Sequence, residues 1–373
     1  MPLGRAPISS HLPAAPMTAV PDPVDRIILQ EASEAWAATT RDETVVLDDA
    51  TGALTLAAAA RPGADRVPYH CDSLADELRV EREAAAAGAQ VHAEQEPGQA
   101  LLSGATVVLL RLPKSLDALD ELAEAVARWA DPDVQVLAGG RVKHMTRGMN
   151  DVLSRHFTSV TASLGQQKSR VLRASGPRPA TASRFPVCEP HVDLGLDVWA
   201  HGGAFAGSSV DFGTRLLLSF LPQVPQAARV VVDLGCGTGV LATLAARHLP
   251  NARVLATDDS SAACRSAEAT TSRNGVGDRV SVRRAELLDG VDDRSVDLVL
   301  CNPPFHRGTT RDSDAAFAMF ADAGRALAPQ GELWTVYNSH LPYLTALRRL
   351  VGPTRVMGQN PRYVVTRSQA VHP

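Results

Sequence analysis

From residue 229 onward, short apolar runs alternate with segments whose apolar positions recur at helical spacing. Residues 229–234 (RVVVDL) form a continuous β-branched run, the pattern of a strand buried on both faces. A glycine turn leads into an expected helix over 240–249, stopped by Pro250, with Leu241, Leu244, Ala245 and Leu249 on one face. Residues 253–258 predict a second strand, with Ser260 or Ser261 placed to cap the helix after it. Residues 279–284 predict a third strand and 296–301 (VDLVLC) a fourth. Asp312 or Ser313 is expected to cap a helix carrying Phe317, Phe320, Gly324 and Leu327 on one side. Pro329-Gln330-Gly331 then turns the chain into a strand over 332–337. Strands alternating with helices predict right-handed βαβ units in a doubly wound sheet.

The first half carries a fainter copy of this pattern. Thr51-Gly52-Ala53-Leu54 lies over Thr238-Gly239-Val240-Leu241, each behind a β-branched run, and VVLLRLP at 107–113 parallels LVLCNPP at 298–304. Two echoes in the same order suggest duplication, although buried α/β halves share such patterns in general. The copy lacks the polar chemistry of the second half. Asp48 and Ala50 stand where Gly235 and Gly237 would be, and Arg111 stands in the place of Asn302. The expected organisation is a disordered leader over 1–24, a degenerate Rossmann-like domain over 25–175 and a catalytic domain over 176–373. The boundary is expected near the small, proline-containing stretch 175–183.

A chain of 373 residues suits two such domains. The formal net charge of -4 means that binding to a polyanion would have to come from local basic patches. Five scattered cysteines, odd in number and without metal spacing, predict free thiols in a reducing cytoplasm, and the histidines form no metal-binding pair. No metal and no membrane segment is expected. The first 23 residues hold six prolines and no continuous apolar core, which argues against a signal peptide.

Candidate chemistry gathers at the ends of the second-half strands. DLGCGTG at 233–239 ends one strand and opens a helix, and Gly235, Gly237 and Gly239 let the backbone turn tightly against a ligand, with Cys236 between them. The spacing is GxGxG, with Asp233 two residues before the first glycine. That acid disfavours a phosphate and suits the ammonium of a methionine moiety. Asp258 closes the second strand 19 residues after Gly239, where a carboxylate accepts from both ribose hydroxyls. A helix N-cap is its alternative, and Asp259 is eligible for either role. Glu286 follows the third strand, either as an acceptor for the adenine amino group or as a solvated loop glutamate. Loop, first acid and second acid in this order predict S-adenosylmethionine.

Asn302-Pro303-Pro304-Phe305 follows the fourth strand at the carboxyl edge of the sheet, where open α/β folds bind ligands. The amine of a conjugated ring or amide is a poor nucleophile because its lone pair is delocalised. The Asn302 side-chain oxygen and the Pro303 carbonyl, held by two prolines that fix φ, can grip its N–H bonds and favour a pyramidal nitrogen. Phe305 offers a face for stacking an extruded base. His306 is placed either to bond that base or to cap and pack. Near the domain boundary, Arg141, Lys143, Arg147, Lys168, Arg170, Arg173, Arg178 and Arg184 either meet RNA phosphates or form a solvated basic surface.

At these residues the sequence resembles the bacterial ribosomal-RNA guanine-N2 methyltransferases with two tandem class I methyltransferase-like domains. The motifs are RLPKSL at 111–116, Phe205 with Asp211-Phe212-Gly213, the 233–239 loop, Asp258, NPPFH at 302–306, and Tyr363-Val364-Val365. The resemblance implies an N-terminal domain that has lost the cofactor and helps to recognise RNA, and a catalytic C-terminal domain. It implies ribosomal RNA or a ribosomal subunit as partner, the large subunit favoured by RLPKSL, and a cover over the cofactor from 203–213 with Phe205 and Asp211 facing the ligand. Glu286 and Tyr363 depart from the family pattern, which has a shorter polar residue and phenylalanine there. Competing readings are methylation of adenine N6 or of a protein glutamine amide, a non-catalytic RNA-binding assembly factor, and a dehydrogenase, which the glycine spacing disfavours.

Overall fold

The apolar runs become strands of two sheets built to one plan. A computed structural model describes residues 19–38, 43–64, 66–178, 182–304 and 310–371. The first half contains β1 (Thr44–Leu47), β2 (Val67–His70), β3 (Val91–Ala93), β4 (Val107–Arg111), β5 (Gln135–Arg141), β6 (Phe157–Ala162) and β7 (Ser169–Pro177). A two-stranded ribbon, β8 (Val187–His191) with β9 (Leu196–Ala200), precedes the second sheet. That sheet contains β10 (Val230–Leu234), β11 (Arg253–Asp258), β12 (Val280–Arg284), β13 (Val296–Cys301), β14 (Leu327–Asn338), β15 (Thr354–Gln359) and β16 (Tyr363–Gln369).

The orders are β3-β2-β1-β4-β5-β7-β6 and β12-β11-β10-β13-β14-β16-β15, the same permutation twice. In each sheet the first five strands of the plan pair in parallel, and the last two join antiparallel. The chain is thus two tandem Rossmann-like methyltransferase folds. Register makes the equivalence residue by residue: Leu47 pairs with Leu110 as Leu234 pairs with Cys301. Asp48 therefore matches Gly235, and Arg111 matches Asn302.

Helices cover both faces of the second sheet, which is why its strands read as unbroken apolar runs. Val231, Ala256, Leu298 and Trp334 pack on one face with Leu241 and Ala245; Val232, Val299 and Leu333 pack on the other with Phe320 and Ala323. The strand order reverses between β10 and β13, so the switch point that favours ligand binding lies at the ends of these two strands.

Four expectations about boundaries shift. The helix Pro23–Ala38 begins inside the expected leader, because Asp22 accepts from the amides of Val24 and Asp25 and starts the first turn. Residues 1–18 of that leader lie outside the described residues. Strand β7 runs to Pro177 and pairs with β6, so the start of the expected linker is sheet. The helix Thr310–Ala326 already includes Asp312 and Ser313, the residues expected just ahead of it. Pro329-Gln330-Gly331 is no turn between elements but an irregularity within β14: Gln330 takes φ 66°, and the register to β13 jumps between Val296 and Leu298.

The halves meet where Ser73 and Ser260 form a short antiparallel bridge. All five cysteines are free, four of them buried. Among the described residues no helix is long and apolar enough to cross a membrane, and no cluster of three or more potential metal ligands occurs.

Candidate active site

A cavity of about 340 Å³ opens at the carboxyl ends of β10, β11 and β13. Its floor is the glycine turn. Gly235, Gly237 and Gly239 all have positive φ, at 75°, 51° and 75°. The amides of Gly235 and Cys236 both donate to the Thr257 carbonyl at 2.9 Å, which ties the turn to β11. The three glycines do different work. Gly235, Cys236 and Gly237 front the cavity, whereas Gly239 caps the helix Val240–His248 beneath it. A Cβ on Gly239 would stand 2.9 Å from Ala267, and one on Gly237 would meet nothing. Gly239→Ala is accordingly expected to cost roughly 1–3 kcal/mol, from a left-handed backbone plus overpacking, read as a lower urea midpoint at unchanged m. Gly237→Ala carries the backbone penalty alone.

Asp258 lines the cavity and holds the turn: its Oδ2 accepts from the Gly237 amide at 2.9 Å and its Oδ1 from the Ser260 amide at 3.0 Å. Burial raises its pKa against these two bonds. It is not the helix cap. Ser260 takes that role for the helix Ser261–Arg273, accepting from the Ala263 amide. Asp259 also borders the cavity, but its Oδ1 accepts from the Ala75 amide of the first half at 3.1 Å.

Glu286 does not line the cavity. Its neighbours Ala285 and Leu287 do, and the side chain between them is exposed. Asp233 is not on the wall either; it is fully buried, its Oδ2 accepting from the Ala242 amide at 2.9 Å and its Oδ1 without a partner among the described residues. Burial pushes its carboxyl up to about 7.

Across the cavity lies Asn302 with Pro303 and Pro304. Asn302 Nδ2 donates to Asp211 Oδ2 at 3.1 Å and to Thr214 Oγ1 at 2.9 Å. A carboxylate only accepts, so the amide orientation is fixed with Oδ1 on the other side. That oxygen is buried and has no partner among the described residues. Asp211 is itself held as the N-cap of the helix Phe212–Leu218, accepting from the Gly213 amide at 2.8 Å and from Thr214. Phe205 and Asp211 both border the cavity, and Phe205 is 61% exposed. Phe305, His306 and Arg307 lie outside the described residues.

Thr214 and Thr257 were not among the candidates. Thr257 lines the cavity with a buried Oγ1 that has no partner among the described residues. Thr214 stands three residues after Asp211 at the head of a helix, and that capping spacing is the signal for it.

The equivalent place in the first half is filled by its own side chains. Asp48 occupies the Gly235 position at φ 56°, half-buried, with its carboxyl pushed up to about 7 by desolvation. Asp22 and Asp25 take the places of Asp211 and Thr214, and both bind the Arg111 guanidinium, where Asn302 stands in the second half. An amide held by an acid and a hydroxyl has become an arginine held by two acids. Two basic residues near the domain boundary are likewise engaged: Arg173 pairs with Glu31 and Arg184 with Asp120.

The Methyltransferase small domain model matches residues 195–367, and the RLMG N-terminal domain model matches residues 13–178. The ribosomal RNA large subunit methyltransferase G of Pseudomonas savastanoi pv. phaseolicola is 34% identical over 357 residues, 93% of this chain and 92% of that one. The protein of the same name from Pseudomonas putida (strain GB-1) is 37% identical over 265 residues, 70% of each chain. Among solved structures, the T. thermophilus 16S rRNA N2 G1207 methyltransferase RsmC, in complex with AdoMet and guanosine, shares the fold: TM-score 0.74, 20% identity, 95% of this chain and 93% of that one. The chain belongs to the ribosomal RNA large subunit methyltransferase G family.

Proposed function

We propose that the second half transfers a methyl group from S-adenosylmethionine to the exocyclic N2 amine of a guanine in large-subunit ribosomal RNA, in the cytoplasm where ribosomes are found. The carrying observation is the unpartnered Asn302 Oδ1, a buried acceptor fixed beside the cavity by Asp211 and Thr214. A buried acceptor without a donor is costly. The N–H of a substrate amine removes that cost.

The cavity fits the cofactor. Gly235 and Gly237 leave the floor open to an approaching backbone or sugar, Asp258 presents a carboxylate to ribose hydroxyls, and the carboxyl of Asp233 behind the turn favours an ammonium over a phosphate. When bound, S-adenosylmethionine supplies an electrophilic sulfonium methyl for in-line attack. Asn302 Oδ1 and the Pro303 carbonyl each accept one N–H of the amine and hold its lone pair toward the methyl. Positioning of this kind supplies most of the rate, and the extra proton on the methylated nitrogen passes to solvent. Incubating the protein with ribosomal subunits and digesting the RNA to nucleosides is expected to yield N2-methylguanosine from the large subunit. Methyladenosine, or methylglutamine in a ribosomal protein, would overturn the assignment.

Asp233 gives the cofactor-free protein a pH signature. With its folded pKa raised from 3.8 to about 7, the contribution to stability is complete below the unfolded value and is lost as pH rises through about 7. Asp233→Asn keeps an acceptor for the Ala242 amide and removes the titration. It is expected to raise the thermal midpoint more at pH 8 than at pH 5 and to weaken cofactor binding. An equal effect at both pH values contradicts this account.

A further inference from the structure

The bridge between the halves is an exchange of helix caps. Asp72 and Asp259 each precede the serine that caps a helix in their own half, Ser73 and Ser260. Each carboxylate crosses to the other half. Asp72 Oδ1 accepts from the Ala262 amide at 2.8 Å and its Oδ2 from Ser260 Oγ at 2.8 Å, while Asp259 Oδ1 accepts from the Ala75 amide. The backbones follow: the Ser261 amide donates to the Asp72 carbonyl and the Leu74 amide to the Asp259 carbonyl. The first turn of each helix is thus satisfied partly by the opposite half.

Arg284 locks this exchange beside the cavity. Its Nη2 donates to the carbonyls of Cys71 at 2.7 Å and Asp72 at 3.1 Å, its Nε to the Asp259 carbonyl at 3.2 Å, and its Nη1 to Glu77 at 2.5 Å. The pair is dry, with side chains 10% and 8% exposed. Ala285, the next residue, is on the cavity wall, and its amide donates to the Asp258 carbonyl. Asp258 in turn accepts from the Ser260 amide, and Ser260 Oγ is the group Asp72 holds. A continuous path of hydrogen bonds therefore runs from the first half to the proposed ribose acceptor.

We propose that Asp72 and Arg284 are positioning residues for the cofactor: the first half, whose own site is filled by Asp48 and Arg111, completes the site of the second. This rests on Asp258 binding the cofactor as proposed above. Without Asp72 and Arg284, the amide of Ala262 and the hydroxyl of Ser260 lose their acceptor, and the turn carrying Asp258 loosens. The amine-gripping Asn302 is held separately, by Asp211 and Thr214. The effect falls on cofactor affinity and not on the methyl-transfer step.

The test measures S-adenosylmethionine affinity by calorimetry, kcat at saturating cofactor and thermal midpoint, all on the full chain. Arg284→Ala and Asp72→Ala are expected to raise Kd about tenfold, with kcat within about twofold of the parent. Asp72→Asn keeps the acceptor for the Ala262 amide and is expected to restore most of the affinity. Glu124→Ala breaks a buried contact of the first half with Ser183 and the Arg184 amide and is expected to lower the midpoint with Kd unchanged. Wild-type Kd in Arg284→Ala, or an equal rise in Kd from Glu124→Ala, overturns the inference. Failure of the wild-type protein to bind the cofactor overturns the functional reading beneath it, a result distinct from both.

Discussion

Asn302→Ala is expected to lower kcat by about a thousandfold while leaving the Kd for S-adenosylmethionine within about threefold, since losing one preorganised polar contact at the reacting centre costs on this scale. The side chain divides its duties. Nδ2 is spent on Asp211 and Thr214, which fixes the amide, and Oδ1 is left buried and unpartnered beside the cavity. Alanine removes the acceptor and frees Asp211, whose remaining bonds to Gly213 and Thr214 keep the helix start intact. Asn302→Asp is the sharper variant. It retains an oxygen for the amine but sets a second carboxylate against Asp211 in place of the donor. It should be as inactive as alanine at neutral pH. Near-normal turnover in either variant refutes the role given to Asn302.

The second large effect is expected at Asp258. Asp258→Ala should weaken S-adenosylmethionine binding about a hundredfold, because the two charge-assisted bonds proposed to the ribose hydroxyls are lost. The amides of Gly237 and Ser260 lose their acceptor in the same step, so the turn that forms the cavity floor loosens too. Turnover at saturating cofactor should fall far less than affinity, the reverse of Asn302→Ala. Calorimetry together with kcat at saturation separates the two patterns. Equal losses in both variants would mean that the cavity is not divided between cofactor and amine as proposed.

The fold was legible where burial leaves a simple mark. β10, β11 and β13 are covered on both faces, so they appear as unbroken apolar runs, and the glycine turn between β10 and its helix announces itself by composition. The duplication showed through TGAL at 51–54 and VVLLRLP at 107–113, and the repeated strand order accounts for both echoes. What failed to show depends on contacts distant in sequence. Asp211 and Asn302 meet across 91 positions, and only the folded chain reveals that one orients the other. Asp259 Oδ1 is bonded to the Ala75 amide of the first half, a contact across 184 positions. Glu286 is exposed and off the cavity wall. Ala285 and Leu287 on either side of it line the cavity, in a turn beyond the end of β12 where Leu287 takes φ 52°. The run at 329–331 reads as a turn from its proline and glycine, yet pairing on both sides keeps β14 continuous around a bulge.

The engaged basic residues follow the same pattern. Composition alone offered Arg173 and Arg184 to an RNA backbone, but each already faces a carboxylate, Glu31 and Asp120. Arg111, in the position equivalent to Asn302, is paired with Asp22 and Asp25 and is equally spoken for. The first half thus holds internal ion pairs where the second half has its cavity, and it contacts the second half through Asp72 and Asp259.

The most direct test of guanine methylation by this chain is mass mapping of ribosomal RNA from cells lacking it, with the wild-type or Asn302→Ala gene restored. The account predicts that one guanine of the large-subunit RNA loses a methyl group in the deletion, regains it with the wild-type gene and stays unmodified with Asn302→Ala. An unchanged map, a loss confined to the small subunit, or restoration by Asn302→Ala would contradict it.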